Sequence, residues 1–182
     1  MVRRDEMLSP DEALERFVRS TGSFLALIEG VSAGDWDRRP SGEAWSIGET
    51  VEHVVLTNQA TLTRFHEQLE TSPIEPNVSP FPDGRITEQM FRAAGPAPPG
   101  LAEPTGRFAT ASQGIAALTA ACDGIAGYVR ATAPRLRDFA LPHPVFGMFD
   151  GVQWVLFVGA HTDNHIPQLL RLRELTISST RL

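Results

Sequence analysis

An all-α protein built as a four-helix bundle is the fold that this 182-residue sequence predicts. Three observations lead there. Four long segments place apolar residues at helical spacing, two of them open on a capping-box sequence, and no segment shows a convincing strand alternation. Hydrophobic residues make up 42% of the chain, enough for one substantial core, so residues 1–182 are expected to form a single domain.

Ser9, Pro10 and Glu12 announce the first helix, which carries Leu14, Phe17, Val18, Thr21, Leu25 and Ile28 on one face and ends at Gly30. A loop then brings Trp36, Arg38, Arg39 and Pro40 to Trp45. Ser46 and Glu49 repeat the capping-box spacing and start a second helix expected to reach about Glu70, with Ile47, Val51, Val54, Val55, Leu62, Phe65 and Leu69 as its stripe. Residues 72–104 hold eight of the fourteen prolines, so this stretch reads as a long wrapping connection, interrupted by a short helix around Ile86 to Ala94. In the third helix Phe108, Ile115, Cys122 and Val129 recur every seven residues, interleaved with Ala111, Leu118 and Ile125, the pattern of a bundle seam. Gly114, Gly124 and Gly127 each weaken an isolated helix by about 1 kcal/mol, so packing has to compensate. Pro134 ends it, and a loop with His143, Pro144 and Gly147 leads to Asp150, a cap for the fourth helix with Gln153 at its third position. That helix is apolar all round from Val152 to Val158, as a central helix would be, and Pro167 predicts a kink.

Composition removes several classes of function. The net charge of −6 disfavours nucleic acid and anionic membrane surfaces as partners. All sixteen basic residues are arginine, which excludes Schiff-base chemistry and a P-loop lysine. The single Cys122 permits no intramolecular disulfide, and its core heptad position argues against a nucleophilic role. No run reaches the roughly 18 apolar residues of a membrane span, and Arg3 and Arg4 precede acidic residues rather than a signal sequence. A cytoplasmic protein acting on a small molecule is the expectation.

Chemistry is best argued from His53 in WSIGETVEH and from His161 and His165 in HTDNH. The pair is spaced i, i+4, so both imidazoles leave one helix face a turn apart, as two ligands of one ion must. On spacing alone two core histidines satisfied by carboxylates or backbone groups are as good a reading. On the helical wheel the pair faces the packed interior, whereas His53 lies well away from its helix's main stripe and shares its side with Glu49, Leu56 and Ala60. A metal reading therefore requires a side cleft between the second and fourth helices. Glu49, one turn before His53, is a candidate general base or a carboxylate supporting that ligand; its competing role is the cap with Ser46. His66 reads as solvated, His143 as a turn residue able to reach the site, Trp36 and Trp45 as hydrophobic staples, and Gln168 as a polar lining residue.

In order, WDRRP, WSIGETVEH and HPVFGMFDGVQWVLFVGAHTDNHIPQL resemble the DinB-like (damage-inducible) superfamily, in particular its bacillithiol S-transferase-like and metal-dependent hydrolase branch, distantly related to mycothiol-dependent maleylpyruvate isomerase. The resemblance covers the whole bundle, least closely at 72–104. It implies an up-up-down-down or similarly crossed bundle in which His53, His161 and His165 bind a divalent ion, zinc or nickel foremost. It also implies a possible homodimer and three activities to separate. These are transfer of a low-molecular-weight thiol, hydrolysis with the same ligands and Glu49 as a base, and a non-enzymatic stress-related metal-binding module.

Overall fold

Ser9 and Ser46 open two of the long helices with the reciprocal bonding their spacing implies. Each serine hydroxyl accepts the amide three residues on, and the glutamate there accepts the serine's own amide. The computed structural model describes residues 7–40, 44–74, 82–92, 100 and 102–179. Along them run α1 (Pro10–Ile28), the short α2 (Ala33–Trp36), α3 (Ile47–Glu67), α4 (Asp83–Arg92), α5 (Ala111–Thr132), β1 (Ala140–His143), β2 (Gly147–Asp150) and α6 (Gly151–Ser179). The long helices α1, α3, α5 and α6 make the bundle. Among the described residues no helix is long and apolar enough to cross a membrane.

Helix directions follow from which residues meet. Phe17 lies against Gly159 and the Leu27 carbonyl receives Arg173, so α1 and α6 run parallel. Val51 sits by Gly114 and Leu62 by Gly124, so α3 and α5 also run parallel. His53 meets His161 while Arg64 lies over Trp154, which sets α3 antiparallel to α6. The order is thus up-down-down-up, one of the crossed arrangements, rather than up-up-down-down. Two adjacent parallel helices need a connection that returns along the full helix, roughly 30 Å for the 21 residues of α3. That requirement accounts for the long proline-rich connection. Its short helix forms at Asp83–Arg92, and Ile86 is buried in the core; the expected end at Ala94 lies outside the described residues.

The seam of α5 differs from its heptad reading. Phe108 precedes the helix and Ile115 is only half-buried, whereas Leu118, Ile125 and Val129 are fully buried. The seven-residue repeat therefore runs a little off the face that meets α3. Gly114 shows how packing compensates for poor propensity: a Cβ there would stand 2.7 Å from Cη2 of Trp36 and 3.0 Å from Cγ1 of Val51. The glycine lets Trp36 wedge between α3 and α5, with its Nε1 donating to the Phe108 carbonyl at 2.7 Å. Trp36 is thus an interior residue.

A hairpin replaces the loop expected before α6. β1 and β2 pair antiparallel from Ala140–Asp150 to His143–Gly147, and Gly147 at φ 90° is in the left-handed region next to the turn. Four residues a side leave too little alternation to register as strands in the sequence. Asp150 caps α6 as expected, accepting the Gln153 amide at 2.8 Å, and every residue of α6 from 151 to 162 is buried. The helix is continuous through Pro167. Arg137 fastens the hairpin end to the rest by donating to Asp150, Asp83 and the Leu8 carbonyl.

Candidate metal centre

His53 leaves α3 away from the Val51, Val54, Val55 stripe and is nevertheless only 4% exposed, because α6 and residue 102 cover it. His161 is 8% exposed and His165 half-buried. One nitrogen from each of the three rings falls within 4.8 Å of the other two. His53 Nε2 and His161 Nε2 are 3.0 Å apart, and the His165 ring centroid is 5.0 Å and 4.8 Å from those of His53 and His161. The three meet where α3 faces α6.

Two of the three tautomers are set by acceptors on the outer side. His53 Nδ1 donates to the Ala102 carbonyl at 2.8 Å, since a carbonyl can only accept, and this leaves the Nε2 lone pair directed inward. His165 Nδ1 faces Oε1 of Gln168 at 2.9 Å, with the same consequence. His161 Nδ1 is sealed from solvent without a partner.

Electrostatics keep the rings neutral. Burial pushes the His53 pKa below the usual histidine range, against the Ala102 bond that favours protonation. His165 is brought down to about 4, chiefly by burial. His161 is pushed well below its ordinary value by burial, then by the neighbouring His165, His53 and His143. Nitrogens bound to one ion at about 2.0–2.1 Å stand about 3 Å apart, a spacing that His53 and His161 already have. Neutral imidazoles with converging lone pairs fit a divalent metal.

The support for His53 comes from a part of the chain that sequence reasoning left without a role. Glu52, 1% exposed, accepts the Thr105 amide and hydroxyl at 2.9 and 3.0 Å and the Gly106 and Arg107 amides at 2.8 Å each. This clamp holds residues 102–107 against α3. Ala102 itself has a φ of 52°, a left-handed conformation unusual for a residue other than glycine, and it is this turn that directs its carbonyl at His53. Burial would raise the Glu52 pKa, but the bonds from Thr105, Arg107 and Gly106 outweigh it and hold the carboxyl below its usual range. A carboxylate on the helix adjacent to a candidate ligand was the available signal.

Glu49 is engaged elsewhere. Its carboxylate accepts the Ser46 amide and pairs with the Arg39 guanidinium, whose Nε is 2.9 Å away. Burial acts to raise its pKa, yet the Ser46 and Arg39 contacts leave it below the usual carboxylate range. Trp45 has a role beyond a staple, since its ring lies 4.8 Å from that of His53. Gln168 bonds the candidate ligand His165 directly, while His66 is exposed and edges against Tyr128. Cys122 is buried and its thiol pKa is raised by that burial, as an inert core thiol's would be.

A four-helix bundle with three neutral histidines gathered between α3 and α6 defines a class, that of bundle proteins able to hold a divalent ion between two helices. The chain belongs to the DinB superfamily, whose family model matches residues 16–169. It is similar to the protein YuaE of Bacillus subtilis (strain 168), at 25% identity over 148 residues covering 81% of this chain and 88% of that one. Among solved structures it is similar to YfiT of Bacillus subtilis, described as a probable metal-dependent hydrolase with an unusual four-helix bundle topology. That likeness has a TM-score of 0.64 and 14% identity over 97% of this chain and 93% of YfiT. The four-helix bundle protein TT2238 matches with a TM-score of 0.55 and 21% identity over 88% of this chain and 96% of its own. The two solved structures agree on the four-helix bundle fold.

Proposed function

We propose that this chain is a divalent-metal-dependent enzyme in which His53, His161 and His165 hold zinc or nickel and a small thiol is transferred to an electrophile. The convergence of three neutral imidazole nitrogens within 4.8 Å carries the metal half of this reading. A divalent ion held by three side chains keeps a position open and lowers the pKa of a thiol or water placed there. The thiol half is supported by the carboxylates of α3: Glu52 is saturated by four donors, and Glu49 is tied to Ser46 and Arg39. Neither is placed to take a proton from water. A thiol, with an ordinary pKa near 8.5, needs far less help to ionise.

The residues of this chain then have distinct tasks. Ala102 and Gln168 fix which nitrogen of His53 and His165 is unprotonated, Trp45 shields His53, and Glu49 secures the first turn of α3. Hydrolysis is the second reading, favoured by the description of the structurally similar YfiT. Turnover of a soluble electrophile such as chlorodinitrobenzene by the zinc- or nickel-loaded protein separates them. Thiol transfer requires that product form only with added bacillithiol, mycothiol or cysteine; turnover of an ester substrate at the same rate without any thiol would replace it with hydrolysis. Failure of the reconstituted protein to retain metal, with His161→Ala no different from wild type, would remove both.

A further inference from the structure

Beyond the three histidines, α3 and α6 bring a second set of polar groups together. Arg64 lies on the His53 side of α3, about three turns further on. Its guanidinium carbon is 5.3 Å from the centroid of the Trp154 ring, and no carboxylate among the described residues pairs with it. Trp154, Phe157 and His161 succeed one another on a single face of α6. Above that face sits His143 at the end of β1, its ring 5.1 Å from Trp154 and 4.4 Å from Phe157.

The His143 tautomer can be deduced. Its Nδ1 receives the amides of Val145 and Phe146, both at 3.2 Å, so it must carry the lone pair and the proton must be on Nε2. Burial, followed by the charge of Arg64, brings its pKa to about 4, so the ring is neutral at physiological pH. The residue is half-buried, and Nε2 is not among the enclosed atoms that lack a partner. Among the described residues nothing accepts this N–H. A guanidinium and an N–H donor, neither with an acceptor among the described residues, thus both lie against the Trp154 ring, about two helical turns from His161.

We infer an anion subsite, in which Arg64 and the Nε2–H of His143 together receive a carboxylate of the small molecule whose reacting end lies at the three histidines. The reacting end rests on the proposed function; the anion site does not. A guanidinium presents paired donors that match a carboxylate, and stacking on Trp154 fixes its plane. From the level of Trp154 to that of His161 is about 10 Å along the helix. The substrate class is therefore an extended thiol or electrophile with a carboxylate about that far from its reactive atom. With no carboxylate among the described residues to neutralise Arg64, the ligand itself completes the ion pair.

Calorimetry with terminal mercaptooctanoate and the matching mercaptooctanol tests this on zinc-loaded protein. The acid is expected to bind about tenfold more tightly than the alcohol. Arg64→Met, which keeps the stem on Trp154, should abolish that preference, and Arg64→Lys should retain part of it. His143→Asn keeps an oxygen for the Val145 and Phe146 amides, but its shorter side chain cannot carry an N–H to the Nε2 position, so it should reduce the preference with the melting temperature unchanged. Equal binding of acid and alcohol by wild type, or an undiminished preference in Arg64→Met, would overturn the inference. Octanoate titrated into metal-free protein provides the independent arm. Saturable shifts of the Arg64 and His143 side-chain N–H resonances are expected, and their absence counts against the subsite. If the protein holds no zinc and those shifts persist, the anion subsite stands and the metal-dependent reading falls.

Discussion

Replacing Glu52 by glutamine is the most informative perturbation of the candidate centre, because it touches no histidine. Each Glu52 oxygen serves two donors: Oε1 takes the Thr105 amide and hydroxyl, Oε2 the Gly106 and Arg107 amides. Glutamine keeps one oxygen and turns an NH2 toward the other pair, so two bonds to a charged acceptor are lost and donors face donors. At about 1.5–3 kcal/mol for each such bond, and with some relief because residues 103–107 lie near the surface, the loss should be about 2–4 kcal/mol. The second effect is on metal. Residues 102–107 no longer hold the Ala102 carbonyl firmly on His53, and loss of such support weakens metal affinity by about 10- to 100-fold. Urea unfolding of the metal-free variant measures the first quantity and competition with a chelator for zinc the second. A variant that is destabilised yet binds zinc as tightly as wild type would refute the link from Glu52 through Ala102 to His53. An undiminished stability would refute the clamp itself. The acid response gives a further sign. Glu52's folded pKa lies below its ordinary value, so its contribution is present above the unfolded pKa and disappears as pH falls through the folded one. The glutamine variant should lack that portion of the acid-induced loss.

Three further outcomes test other parts of the structure. Leu118→Asp places a charge at a fully buried position of α5 and should destabilise the bundle by several kcal/mol, about 3–5, as read by thermal melting; a near-native melting temperature would contradict the packing of α5 on α3. His143 has a folded pKa of about 4 against an ordinary 6.5, so the unfolded chain binds its proton first and stability falls as pH drops through that interval. His143→Asn should accordingly take up about one proton fewer on acid unfolding, measurable from the pH dependence of the urea midpoint. Ala102→Val forces a β-branched residue into a left-handed turn and should cost at least about 1 kcal/mol, whereas Ala102→Gly should be close to neutral; equal melting temperatures for the two would contradict that backbone conformation.

What was legible in the sequence was mainly what is local. Ser9 with Glu12, Ser46 with Glu49 and Asp150 with Gln153 mark helix starts because caps are set by contacts three residues apart. The all-round burial of residues 152 to 158 is legible as a helix apolar on nearly every side, and in the structure it extends over residues 151 to 162. His53 was placed off the α3 stripe, and it is indeed off that stripe, but the covering turn at residue 102 has no local signature. Four-residue strands were missed because so few residues carry no periodic signal. The α5 seam was shifted because a seven-residue repeat in a helix of 3.6 residues per turn drifts from the contact face, and Trp36 selected Gly114 as the contact point. Tasks such as Gln168 bonding His165, or Trp45 covering His53, need the fold to be seen.

The topology and the site are not independent features. Parallel α3 and α5 oblige the chain to return along the bundle between them, and the closing part of that return passes over α3 beside His53. A bundle with only short antiparallel links would have no such segment there, and His53 Nδ1, on the side that α6 does not cover, would lose its carbonyl acceptor. The crossover closes that side. It does so through Glu52, one residue from His53, so the anchor and the ligand share a helical turn and any shift of the crossover is transmitted over a single turn of α3. His165 is supported within its own helix by Gln168, whereas the outer nitrogen of His161, Nδ1, has no acceptor among the described residues. The three candidate ligands therefore differ in how they are held: His53 depends on long-range structure, His165 on its own helix, and His161 on burial. Changes in residues 102–107 should for that reason alter metal affinity through His53 while leaving the α6 pair in place.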